Sequence, residues 1–233
     1  YQDGPAAIAQ AAQHLLDEYN RSATSIATFA QPFLHGHLLT DSMSGTVLSV
    51  LLTLRQQIER VIVLEGRPRF EGRTLASALS KQGIAVTLIT DAQADIFLPQ
   101  CQAVVVGADS VLVNGDLLNK AGTALVAWAA RARSIPFYAL CETLKISPQR
   151  WYEHDPLRTQ ANLSLLEEKE EAEVLEQPIA GVEVHNYYFD RTPHRLLTHI
   201  ITEQGLLDRH QIRDIAIRTR VNERLLTKKG RST

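Results

Sequence analysis

Cysteine is scarce in this chain: Cys101 and Cys141 are the only two among 233 residues. Their spacing fits no zinc motif, and a chain this long buries roughly 70% of its unfolded surface without needing a disulfide or a metal. Both thiols stand in or beside apolar, strand-like runs, which reads as a reduced, cytoplasmic protein. Charge of one sign is missing too. A formal net charge of -2 gives no global pull toward nucleic acid or an anionic membrane. No apolar run reaches about 18 residues, so no membrane span is expected. The opening residues carry no signal-peptide pattern. The chain begins at Tyr1 rather than Met, which leaves room for sequence upstream. Internal repeats are absent, as is any linker between comparable halves, so one large α/β domain with or without a helical appendage is expected.

What the chain does have is the block Gly107 to Thr123, Gly-Ala-Asp-Ser-Val-Leu-Val-Asn-Gly-Asp-Leu-Leu-Asn-Lys-Ala-Gly-Thr. It follows the apolar run 103–106 and precedes an amphipathic segment, which places Asp109, Asn119 and Lys120 around the C-terminal end of a buried strand. Ligands bind in that crevice of open α/β sheets. A carboxylate, an amide and an ammonium meeting there suit a small, anionic, hydroxylated ligand such as a sugar phosphate.

Strand and helix patterns alternate around the block. Residues 5–31 read as one or two amphipathic helices, and 38–40 as a short strand. Asp41 to Thr46 form a polar turn capping a helix over 47–56. Strands are expected at 60–64, 85–89, 102–106 and 137–141, with helices at 71–82, 92–98 and 119–132 between them. Continuous apolar strands separated by helices mean a mainly parallel sheet covered on both faces. Residues 146–176 read as an irregular excursion whose acidic run, Glu167 to Glu173, fits a solvated helix or mobile loop. A further strand is expected over 182–189 and a C-terminal helix over 193–205, with Ile200 and Ile201 inward. The basic tail 218–231 fits a solvated terminus better than a nucleic-acid arm.

The loop Glu65 to Arg73 sets three arginines, Arg67, Arg69 and Arg73, just before a helix N-terminus, where an Arg fork can meet phosphate oxygens. Surface charge around a βα loop explains it equally well. His35 and His37 bring no third metal ligand with them, and Asp91 reads as a cap for the helix after it. Glu142 and Lys145 fit either a crevice lining or a structural ion pair, and Cys141 fits a buried thiol.

Taken in order, these blocks resemble the family of the translation initiation factor 2B α/β/δ subunits, methylthioribose-1-phosphate isomerase and ribose-1,5-bisphosphate isomerase. The residues that carry the likeness are Leu38-Leu39-Thr40 with Ser44 and Thr46-Val47-Leu48; Glu65, Arg67-Pro68 and Glu71-Gly72-Arg73; and Gly83-Ile84, 86–89 and Asp91. They continue with Gly107-Ala108-Asp109, Asn114-Gly115, Asn119-Lys120 and Gly122-Thr123; then 136–138, Glu142-Thr143 and Lys145; then Phe189-Asp190, Thr192-Pro193 and 200–205. The resemblance implies a Rossmann-like domain over 33–233, a helical arm over 1–32 left from a longer family domain, and a homodimer. It implies a small phosphorylated ligand, a protein partner as an option, and no membrane or nucleic acid. Neither a metal nor a cofactor is expected.

In the isomerases of that family one cysteine and one aspartate interconvert an aldose and a ketose 1-phosphate. The likeness puts Asp109 on the aspartate, Asn119 and Lys120 on residues that hold substrate, and Arg67, Glu71 and Arg73 beside them. It puts Ser42 where the cysteine belongs, preceded by Asp41 where the family usually has His. A thiol titrates near pH 8.5 and can be tuned toward neutrality, whereas a serine hydroxyl needs an adjacent base. Asp41 and Ser42 are expected to point opposite ways on an extended segment. The missing thiol favours a subunit-like protein that binds a phosphorylated sugar or nucleotide without turnover, in a regulatory role. The alternative is an aldose–ketose sugar-1-phosphate isomerase using Asp109.

Overall fold

The computed structural model describes residues 4–153 and 155–219. Helix α1, Pro5–Ala30, is a single element whose last turns bury Ile26, Ala27 and Ala30. The chain then alternates through β1 (Gly36–Thr40), α2 (Gly45–Thr53), β2 (Ile58–Leu64), α3 (Glu71–Lys81), β3 (Val86–Ile89), α4 (Ala94–Phe97) and β4 (Ala103–Val106). It continues with β5 (Ser110–Val111), β6 (Leu117–Lys120), α5 (Thr123–Ala132), β7 (Phe137–Leu140), α6 (Thr159–Leu163), β8 (Phe189–Thr192), β9 (His199–Thr202), β10 (Gly205–Leu207) and α7 (Arg209–Arg218).

Seven strands form one sheet in the order β10-β9-β7-β4-β1-β2-β3. All its pairs are parallel except β9 with β10. Strand residues alternate between two apolar layers, as the period of two requires. Leu39, Ile62, Val104 and Val106 join the layer with α5 and α7; Leu38, Val61, Val63 and Val105 join the layer with α1, α2 and α3. The expected mainly parallel, Rossmann-like α/β sheet with helices on both faces is the architecture observed.

Three expected elements differ. The helix over 119–132 starts only at Thr123. Asn119 and Lys120 instead end β6 and pair with Asp190 and Phe189 of β8, in a small antiparallel sheet β5-β6-β8. The strand over 182–189 shrinks to β8, which begins at Phe189. The helix over 193–205 is a short turn followed by β9 and β10. The reason lies in Ile200 and Ile201, which are buried in opposite layers, a demand that a two-faced strand meets and a one-sided helix does not. Helix α7 was not expected. The tail beyond Thr219 lies outside the described residues.

Close approach of backbone fixes the β2–α3 corner. A Cβ on Gly72 would sit 1.8 Å from the Leu64 carbonyl oxygen, so α3 can start against the end of β2 only with glycine there. Gly72→Ala is expected to cost about 3 kcal/mol of stability, read as a lower urea midpoint at unchanged m-value.

Candidate functional site

Strands β1 and β4 lie side by side, yet the chain leaves β1 for α2 on one face and leaves β4 toward α5 on the other. This is the switch point at which open α/β sheets hold ligands. A cavity of about 280 Å3 opens there, lined from the β1–α2 turn by Ser42 and Ser44, from the end of β4 by Asp109, and from β6 by Asn119 and Lys120. Glu71, Lys145 and Tyr188 complete its charged and aromatic wall.

The β1–α2 turn is shaped by Ser42, whose φ of +54° puts a non-glycine residue in the left-handed region. Ser44 caps α2 by accepting from the Val47 N–H at 3.3 Å. Gly107 lets β4 exit beside it, since a Cβ there would lie 2.6 Å from Ser44 Oγ. Asp41 also lines the cavity, as one of its buried residues. Its Oδ2 lies 2.6 Å from the Thr123 hydroxyl oxygen, and its Oδ1 stands 3.5 Å from Asn119 Nδ2. Burial pushes its carboxyl up to about 7, and the nearby charges of Asp190 and Asp91 add to that, against the Thr123 bond and its own backbone N–H.

Lys120 is buried with Glu71 Oε1 at 3.0 Å and the Tyr188 ring at 4.6 Å from Nζ. The other Glu71 oxygen accepts no hydrogen bond. Glu142 is buried, accepts from the Thr46 hydroxyl at 2.7 Å, and lies 3.6 Å from Lys145 Nζ. That pair is structural and at the same time sets Lys145 on the cavity wall. Asp109 stays open on the cavity side. Partial burial nevertheless raises its carboxyl, and Lys145 and Lys120 oppose the rise. Among the described residues no cluster of His, Cys, Asp and Glu has the geometry of a metal site.

The model match covers residues 1–209 and is to the Initiation factor 2 subunit family. The chain belongs to that family. Over 174 residues, 73% of the chain, it is 37% identical to a ribose 1,5-bisphosphate isomerase of Archaeoglobus fulgidus, and this stretch is 53% of that protein. Its fold overlays 5-methylthioribose 1-phosphate isomerase from Pyrococcus horikoshii with TM-score 0.76 at 28% identity, covering 88% of this chain and 62% of the other. Translation initiation factor eIF-2B from the same organism gives TM-score 0.70 at 30% identity over 84% of this chain and 67% of that one. The chain therefore spans about half the length of the curated relatives it matches. The family holds both initiation-factor-like proteins and sugar-phosphate isomerases, and names among the similar relatives lean toward the isomerases.

Of the residues singled out from the sequence, Ser42, Glu71, Asp109, Asn119 and Lys120 stand around one cavity. Arg67 and Arg73 stand outside its lining. Arg73 bonds Glu65 at 2.8 Å and lies over the Phe70 ring, and Arg67 reaches the Val174 carbonyl at 3.5 Å. Tyr188, close to Arg69, holds the Arg69 guanidinium above its ordinary range. Tyr188 bonds Glu173, which ties the end of the acidic run to the site, while Glu167, Glu168, Glu170 and Glu171 are exposed as expected of a solvated stretch. Tyr188 carried no signal in the sequence, because its approach depends on the β6–β8 pairing. Cys141 is no substitute for a thiol at position 42: burial pushes it up to about 12.

Asp91 is a loop clamp rather than a helix cap. Its two oxygens accept from the Gly66 and Arg67 N–H groups at 2.8 Å each, while Thr90 caps the turn that follows. Asp91→Ala is expected to cost about 2 kcal/mol, measured by chemical denaturation, with Asp91→Asn losing less.

Proposed function

We propose that this cavity binds a phosphorylated sugar and interconverts its aldose and ketose forms. The reading is carried by one observation: a carboxyl held above its ordinary range, Asp109, shares a cavity with two ammonium groups, Lys120 and Lys145. The ammonium groups suit a phosphate or another anionic oxygen. Aldose–ketose conversion moves hydrogen from C2 to C1 and takes the proton off the C2 hydroxyl, so it needs a group that gives and takes a proton near neutrality. Asp109, whose carboxyl partial burial raises above its ordinary range, is the group placed for that role, and Asn119 and Lys120 orient the sugar. The isomerase names among the chain's relatives support the same reading.

A second reading, binding without turnover, is favoured by Ser42, since its hydroxyl does not titrate near neutrality and the Asp41 carboxyl is engaged elsewhere.

Turnover and thermal shift with ribose 1,5-bisphosphate, methylthioribose 1-phosphate and 5-deoxyribose 1-phosphate separate the two. A ligand at a hundred times its dissociation constant stabilises the fold by about 2.7 kcal/mol. Turnover of one compound, lowered about 100-fold or more by Asp109→Asn while binding persists, is the expected result. Binding with no turnover supports the second reading, and neither binding nor turnover with all three removes both. Ser42→Cys is expected to raise kcat on the compound that binds, because it supplies a group able to titrate near neutrality.

A further inference from the structure

One hydroxyl knits the floor of the cavity together. Thr123 Oγ1 lies 2.6 Å from Asp41 Oδ2 and 2.6 Å from the Lys120 carbonyl oxygen, and it accepts from Asn119 Nδ2 at 3.0 Å. A threonine hydroxyl carries one hydrogen. The Lys120 carbonyl can only accept, so if that hydrogen points to it, the equally short Asp41 contact needs a second one. Asp41 supplies it by being a carboxylic acid. As a carboxylate it would take the Thr123 hydrogen and leave the Lys120 carbonyl against a lone pair at 2.6 Å in a buried place. The charged groups facing Asp41 agree with the neutral form. Asp190 approaches from β8 and Asp91 from the turn after β3, both acidic, and Lys120 on β6 already holds Glu71 of α3.

We propose that Asp41 is a positioning residue of this site: as a neutral acid it holds Asn119 and Lys120 in the geometry that faces the ligand, and its ionisation releases that hold. The proposal rests on the cavity being the ligand site. It gives the acidic residue at position 41 a task that neither Asp109 nor Ser42 performs. It also makes binding depend on pH. The carboxyl ionises at about 7, so the binding-competent form is present below that pH and declines above it by roughly tenfold per unit.

The test compares the full chain with Asp41→Asn, whose amide can donate to Thr123 and has no proton to lose. Dissociation constants for ribose 1,5-bisphosphate are measured from about pH 6 to about pH 9. They are expressed as the wild-type to variant ratio at each pH, which cancels the titration of the ligand and of Asp109 and Asp190. The ratio is expected to be level below neutrality and to rise about tenfold per pH unit above it. A ratio that stays level throughout overturns the proposal. If ribose 1,5-bisphosphate binds neither protein, the ligand reading fails and Asp41 is judged without it, from the side-chain amide resonance of Asn119. Movement of that resonance with pH in the wild type but not in Asp41→Asn supports the proposal; the same trace in both overturns it. Should Asp41→Asn not fold, the wild-type resonance decides alone, and a signal that does not move across neutrality overturns the proposal.

Discussion

Two neighbouring parallel strands that send their chains to opposite faces cannot both be covered at their ends, and everything notable in this protein gathers where β1 and β4 do so. The sheet fixes their separation, the two apolar layers fix which way each exit turns, and the gap between the exits becomes the cavity. The polar residues there are not ornaments on a loop. They sit on or within a few residues of strand ends and helix starts whose positions are set by packing behind them. This is how packing behind a site gives it fixed geometry.

The small sheet β5-β6-β8 gives the site its chemistry. By pairing antiparallel with β8, β6 delivers Asn119 and Lys120 as a strand end, and the same pairing brings Asp190 under the start of α5, where it accepts from the Gly122 and Ala124 N–H groups. Asp190 is pushed up to about 6 by burial, against those bonds. Asp41, in the same layer, is likewise raised by burial, to about 7. Burial in this layer raises acids and ties them to neighbours in one movement, so charge state and geometry are coupled across Asp41, Thr123, Asn119 and Lys120.

The elements legible in the sequence were those whose pattern depends on neighbours a few residues away. The β-branched runs at 61–63 and 104–106, the glycine after α3 and the cap at Ser44 each announce themselves locally. Asp109, Asn119 and Lys120 were legible because they fall in one continuous block. Ile200 and Ile201 misled, because a β-branched pair beside polar residues fits one face of a helix as well as a strand, and only a second apolar layer distinguishes the two. Arg67 and Arg73 look like anion binders from their position before α3. Which way they turn is set by Glu65 and the Phe70 ring within the folded loop, and by the distant Val174 carbonyl, contacts that no residue pattern in the loop specifies.

By itself, then, the order of residues determined an alternating, mainly parallel α/β sheet, the family, and the strand-end block that bears Asp109, Asn119 and Lys120, since each of these is a matter of local periodicity or contiguous motif. Only the tertiary structure decided that Asp41 faces inward onto Thr123, that Lys120 meets Glu71 and Tyr188 from distant parts of the chain, and that Asp91 clamps the β2–α3 loop. Those are contacts between segments 24 to 82 positions apart. No local pattern encodes them, because the sheet, not the chain, makes the partners neighbours.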